Sequence, residues 1–116
     1  MPGNVWLGVT ITGEKGEWEA FDLGVLCSKS AKIIFISVEP LLHDLTWNVL
    51  DGLQYFNWII IGRLTQHGHK YDPKLKWIKK IVRYCADYGI KVFLKDNLKD
   101  IWGEPLIQEF PERRKK

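Results

Sequence analysis

Two short runs with no polar interruption constrain this chain most: Ile33, Ile34, Phe35 and Ile36, then Trp58, Ile59, Ile60 and Ile61. Each run is strand-sized. Consecutive apolar positions place apolar side chains on both faces of a strand, and such a strand must be covered on both sides, as parallel strands of α/β folds are. No apolar run approaches the roughly 20 residues of a membrane-spanning helix. With 116 residues, 46% hydrophobic and 27% charged, the chain has the composition of one globular domain.

Around these runs the remaining elements fall into alternation. A first strand is expected over residues 5–12, followed by a glycine-flanked charged stretch over 13–17. Trp18, Phe21, Val25 and Leu26 then fall on one stripe of a helix over about residues 18–30, with Gly24 weakening it. The second strand spans residues 32–38 and stops at Pro40, which has no amide to donate. Residues 44–50 offer a short helical turn, with Asp44 as its cap and Gly52 as its exit. The third strand covers 58–62.

The clearest helix begins with Asp72 at the N-cap and Pro73 in the first turn. Leu75, Ile78, Ile81, Val82 and Cys85 form its buried face, and Gly89 ends it. A fourth strand follows over 90–94, and Trp102, Leu106, Ile107 and Phe110 predict a terminal segment that packs back on the body. The order is β, α, β, short α, β, α, β, most economically built as four mainly parallel strands alternating with helices. Residues 1–110 read as one α/β domain, and 111–116 as a basic disordered tail.

Charge and cysteine usage narrow the functional classes. The net charge is +3, but Arg113, Arg114, Lys115 and Lys116 supply four positive charges at the end; the other 13 basic and 14 acidic residues leave the body at −1. A nucleic-acid binder usually carries its positive charge on the folded body, so nucleic-acid binding by the tail and the lysine-rich helix of residues 74–88 is the lesser expectation. Cys27 and Cys85 lie 58 positions apart and form no disulfide framework. With no charged-then-apolar leader, the expected location is the cytoplasm, and no membrane partner is implied.

Polar chemistry gathers at one end of the expected strands. In parallel α/β sheets, working residues collect at the carboxyl ends of strands. Those ends carry Thr10, Thr12 and Glu14; Ser37 and Glu39; Arg63, Thr65, Gln66, His67 and His69; and Lys95, Asp96 and Asn97. Alternation puts Ser37 and Glu39 on one strand face, and Lys95 with Asn97 on one face with Asp96 on the other. A Glu and a Lys at neighbouring strand ends can pair or clamp a ligand. His67 and His69, with Glu39 or His43, could begin a metal site, but a lone H-x-H is weak and no metal is expected. Cys27 and Cys85 read as small buried hydrophobes, and Trp18, Trp77, Tyr84 and Tyr88 as packing residues, none arranged as a stacking platform for bases. No phosphate loop, dinucleotide fingerprint or nucleophile elbow is present.

Four phrases occur in order: Asn4-Val5-Trp6-Leu7-Gly8-Val9-Thr10, Phe35-Ile36-Ser37-Val38-Glu39-Pro40-Leu41-Leu42, Trp58-Ile59-Ile60-Ile61-Gly62 and Val92-Phe93-Leu94-Lys95. Together they resemble the carboxyl-terminal half of a phage-associated, radical-SAM-like family of uncharacterised function. The resemblance implies half of a (β/α) partial barrel that uses S-adenosylmethionine and a [4Fe–4S] cluster. It places Thr10, Thr12, Ser37 and Glu39 near S-adenosylmethionine, with Lys95 and Glu39 as catalytic candidates and Arg63, Gln66, His67, Asp96 and Asn97 on the substrate rim. The family's cluster cysteines lie in its amino-terminal half, so this chain alone is expected to hold no cluster and to be inactive. Two departures stand out: Arg63-Leu64-Thr65-Gln66 replaces the family's usual Gly-Glu-Ser-Gly, and Val38 stands where Cys is common. The alternative is a small ligand-binding or interaction domain. The expected partner is the missing amino-terminal half, or a second copy joined through two exposed sheet edges.

Overall fold

A computed structural model describes residues 6–12 and 33–111. The helix expected over 18–30, Cys27 and residues 112–116 lie outside them. Four strands lie side by side in chain order: β1 (Trp6–Ile11), β2 (Ile33–Val38), β3 (Trp58–Ile61) and β4 (Lys91–Leu94). Every neighbouring pair is parallel. Three helices accompany them among the described residues: α1 (Trp47–Gly52), α2 (Leu75–Tyr88) and α3 (Lys99–Trp102). No helix among those residues is long and apolar enough to cross a membrane.

Strand parity sorts the sheet into two faces. Ile11, Ile34, Ile36, Val38, Ile59, Ile61, Val92 and Leu94 enter one core with Ile78, Ile81 and Cys85 of α2. Those three helical residues sit three and four apart, which is why the amphipathic spacing is readable in sequence. The register stacks the other face in rows. Gly8, Phe35, Trp58 and Lys91 make one row; Thr10, Ser37, Ile60 and Phe93 make the next. Phe35, Trp58, Ile60 and Phe93 are half-buried there. Gly8 is required by close approach, because a Cβ at that position would lie 2.2 Å from the Phe35 ring.

The segment after α3 closes one flank of the sheet. Leu94 N donates to Ile107 O at 2.7 Å and Glu109 N to Val92 O at 2.8 Å, an antiparallel bridge between Phe93 and Gln108. Phe110 then leans over the second face, 5.9 Å from the Trp58 ring and 5.6 Å from Phe93. The Trp58 indole donates to Glu109 O at 2.8 Å. The packing back of Leu106, Ile107 and Trp102 matches the expectation, but Phe110 remains 66% exposed. The outer side of β4 is paired, which corrects the expectation of two open sheet edges.

Helix starts differ from the sequence reading. α2 begins at Leu75 with Lys74 at its N-cap and no side-chain cap, because the Asp72 carboxylate is engaged elsewhere. Gly89 ends it as expected, at φ 70° in the left-handed region that glycine tolerates. α1 is capped by Thr46, whose hydroxyl accepts from Val49 N at 3.4 Å, whereas Asp44 pairs with Lys80.

Candidate functional site

One position beyond the last paired residues, the strands continue to touch through their backbones. Glu39 N donates to Ile11 O at 3.2 Å, Gly62 N to Val38 O at 3.2 Å and Lys95 N to Ile61 O at 3.0 Å. These bonds place Thr12, Glu39, Gly62 and Lys95 in one lateral row at the carboxyl ends of the four strands, immediately above Thr10, Ser37, Ile60 and Phe93. The Glu39-Pro40 peptide is cis, and Leu41 N and Leu42 N return to Gly62 O and Thr12 O, fixing the chain as it leaves β2.

Glu39 and Lys95 are not on neighbouring strands. They belong to β2 and β4, and Glu39 reaches across β3 to accept from Lys95 Nζ at 2.5 Å. Gly62 makes the crossing possible: a Cβ there would sit 3.1 Å from Glu39 Cγ and 3.3 Å from Cδ and Oε1. The side chains are 32% and 41% exposed. At that exposure the pair contributes no more than about 1 kcal/mol to stability. Its charges are therefore held in register at little energetic depth, and both remain open to a solute.

Beside the row, Arg63 organises the loop that follows β3. Its guanidinium donates to Asn97 O, Gly68 O and Asp72 Oδ1, the last two at 3.0 Å, while Asn97 Oδ1 accepts from Arg63 N at 3.2 Å. Asp72 also takes His69 Nδ1 at 2.7 Å. His67 instead stands edge-on to Tyr71, with ring centroids 5.6 Å apart. No group of three His, Cys, Asp or Glu residues able to hold a metal occurs among the described residues. The parity expected at Lys95, Asp96 and Asn97 does not hold, because a 3-10 turn (Asp96–Leu98) replaces the strand. Asn97 turns to Arg63, and Asp96 accepts from Gln108 Nε2 at 2.9 Å.

Compared with known protein families, residues 1–116 match the family described as "Protein of unknown function (DUF5131)". The chain belongs to this family. Neither a curated protein nor a solved structure matches it.

In this DUF5131 chain the structure brings together Glu39 and Lys95 directly, with Ser37 and Thr10 paired in register one row below. Thr12 lies in the upper row through its backbone. Arg63 and Asn97 act on each other, and Gln66 and His67 sit exposed on the loop beyond. Sequence reasoning missed Gly62, although its parity with Ile60 and its place after an apolar run mark it as the gap in the row. It also missed Asp72 as the anchor of Arg63 and His69.

Cys85 is remote from this chemistry. It lies fully buried on α2, where burial, then the charge of Glu109, pushes its thiol up to about 12. A thiol in that state is a packing group. A cavity of about 340 Å³ near it, lined by Val82, Gly89, Lys91 and Ile107, opens at the amino end of β4, the opposite end from Glu39.

Proposed function

We propose that the carboxyl-end row of this DUF5131 chain binds a small zwitterionic ligand between Glu39 and Lys95, and that the ligand is S-adenosylmethionine. The observation that carries the reading is the accessible Glu39–Lys95 pair laid over Gly62. A solute bearing an ammonium and a carboxylate can exchange into such a pair, Glu39 taking the ammonium and Lys95 the carboxylate. The amino-acid part of S-adenosylmethionine has those two groups. Its ribose hydroxyls suit Ser37 and Thr10 in the adjoining row. The donor set thus fits that cofactor.

It does not fit an iron–sulfur cluster. Such a cluster is held by closely spaced thiolates. The chain has two cysteines in all, and Cys85 is sealed in the core. No step is therefore assigned to a cluster on these residues. In a radical-SAM-like enzyme this chain would form barrel wall and substrate rim, with Arg63 and Asn97 holding the rim loop in place. Strand order β1-β2-β3-β4 without a switch point supports a partial barrel wall. With β4 flanked by residues 107–109, further wall would join beside β1. The shortage of thiolates favours a second reading, a ligand-binding domain that uses the same pair without radical chemistry.

Isothermal titration of the full chain with S-adenosylmethionine tests the proposal. Binding is expected, weakened about 10-fold or more by Glu39→Gln and by Lys95→Gln. Absence of heat, or binding untouched by both substitutions, overturns it. Titration with methionine alone separates the readings: equal affinity for methionine favours a general amino-acid site.

A further inference from the structure

The outer side of α2 segregates charge that the body's net value conceals. Lys76, Lys79, Lys80 and Arg83 project within an arc of about 100° at the helical angle per residue, over a length of about 10 Å. No acidic residue lies between Asp72 and Asp87. Apart from this stripe and the four terminal cations, 9 basic and 14 acidic residues remain, a balance of −5. Lys76, Lys79 and Arg83 are exposed and have no ion pair among the described residues.

An aromatic ring stands beside the stripe. Lys80 Nζ donates to Leu45 O at 2.8 Å and Asp44 Oδ1 at 3.4 Å, and lies 4.8 Å from the Trp47 ring centroid. Trp47 is nonetheless 66% exposed. Trp47 and Lys80 are far apart in the chain, and α1 and α2 bring them together. The apolar side of α2 is committed to the core through Ile78, Ile81 and Cys85, so the helix has nothing to insert into a lipid surface. Three cations without an ion pair among the described residues, Lys76, Lys79 and Arg83, flanked by an open indole, match an unpaired phosphodiester strand whose bases are free to stack.

We infer that the outer face of α2, with Trp47, binds single-stranded nucleic acid without base specificity. The surface lies across the sheet from the Glu39 row and is independent of the ligand reading. The test uses a fluorescein-labelled oligothymidylate of about 15 nucleotides and the full chain with Arg113, Arg114, Lys115 and Lys116 all changed to Gln, which silences the tail. Three phosphate contacts, from Lys76, Lys79 and Arg83, predict a slope of about −2 in log affinity against log salt, or roughly a 20-fold loss between about 50 and 200 mM. Lys76→Gln, Lys79→Gln and Arg83→Gln together bring the slope close to zero, and Trp47→Ala weakens binding about 5-fold or more. Circular dichroism melts of each variant confirm that it is folded. The inference is overturned by no binding once the tail is neutral, by a slope indifferent to the helix substitutions, or by equally tight, helix-dependent binding to phosphatidylserine vesicles.

Discussion

The two ends of the same four strands are built on opposite principles. At the amino end, Trp58 is wedged between Phe35, Phe93 and Phe110 and bonded to the Glu109 carbonyl, and Asn57 ties strands through its backbone and its side-chain bond to Ile34 N. At the carboxyl end, the half-exposed Glu39–Lys95 ion pair lies over a glycine. Packed aromatic area stabilises strongly and offers nothing for exchange; an open ion pair contributes little and exchanges readily. The sheet is locked at one end so that the other can stay available.

The largest effect is expected at the lock. Trp58→Ala should cost about 3 kcal/mol in urea unfolding, through lost packing against Phe35, Phe93 and Phe110. If it costs no more than Lys95→Gln, the division between the ends fails. The glycines sharpen the same contrast. Gly8→Ala meets the Phe35 ring at 2.2 Å and should cost about 2 kcal/mol. Gly62→Ala meets a flexible Glu39 at 3.1 Å and should cost less than about 1 kcal/mol while weakening ligand binding. Equal costs would show that the row above Gly62 is as rigid as the aromatic end.

Titration gives a third measure, on the core between the ends. Cys85 is pushed by burial to about 12 from an ordinary 9.0, and Tyr84 to about 12 from 10.0 by burial, then by Tyr88 and Asp51. Both raised values favour the neutral form in the fold. Their contribution is complete below pH 9 and is lost as pH rises from 9 through 12. Cys85→Ala should flatten the start of that alkaline fall in a thermal melt, and an unchanged profile would refute it. The smallest effect belongs to the ion pair itself. A double-mutant cycle with Glu39→Gln and Lys95→Gln should give under about 1 kcal/mol of coupling, shrinking with salt. A coupling of several kcal/mol would make the pair a structural clamp.

Much of this architecture is written locally. Runs such as Ile33 to Ile36 declare strands because both faces are apolar, and α2 declares itself through three-and-four spacing and Gly89. What sequence reasoning misread depends on distant partners. Asp72 looks like a helix cap until Arg63 and His69 claim its carboxylate, and Asp44 until Lys80 does. Residues 107–109 have no strand pattern, because their pairing with β4 runs through backbone groups and the Gln108 and Glu109 side chains. At the rim, parity correctly put Ser37 with Glu39 but could not show that Glu39 spans a whole strand, since that rests on Gly62 lacking a side chain.

The pairing of residues 107–109 with β4 also bears on biogenesis. β4 leaves the ribosome before Gln108 and Glu109 do, so for a time its outer amides and carbonyls are unsatisfied and adhesive. A chain lacking residues 106–109 would keep that sticky flank, and aggregation is its expected outcome.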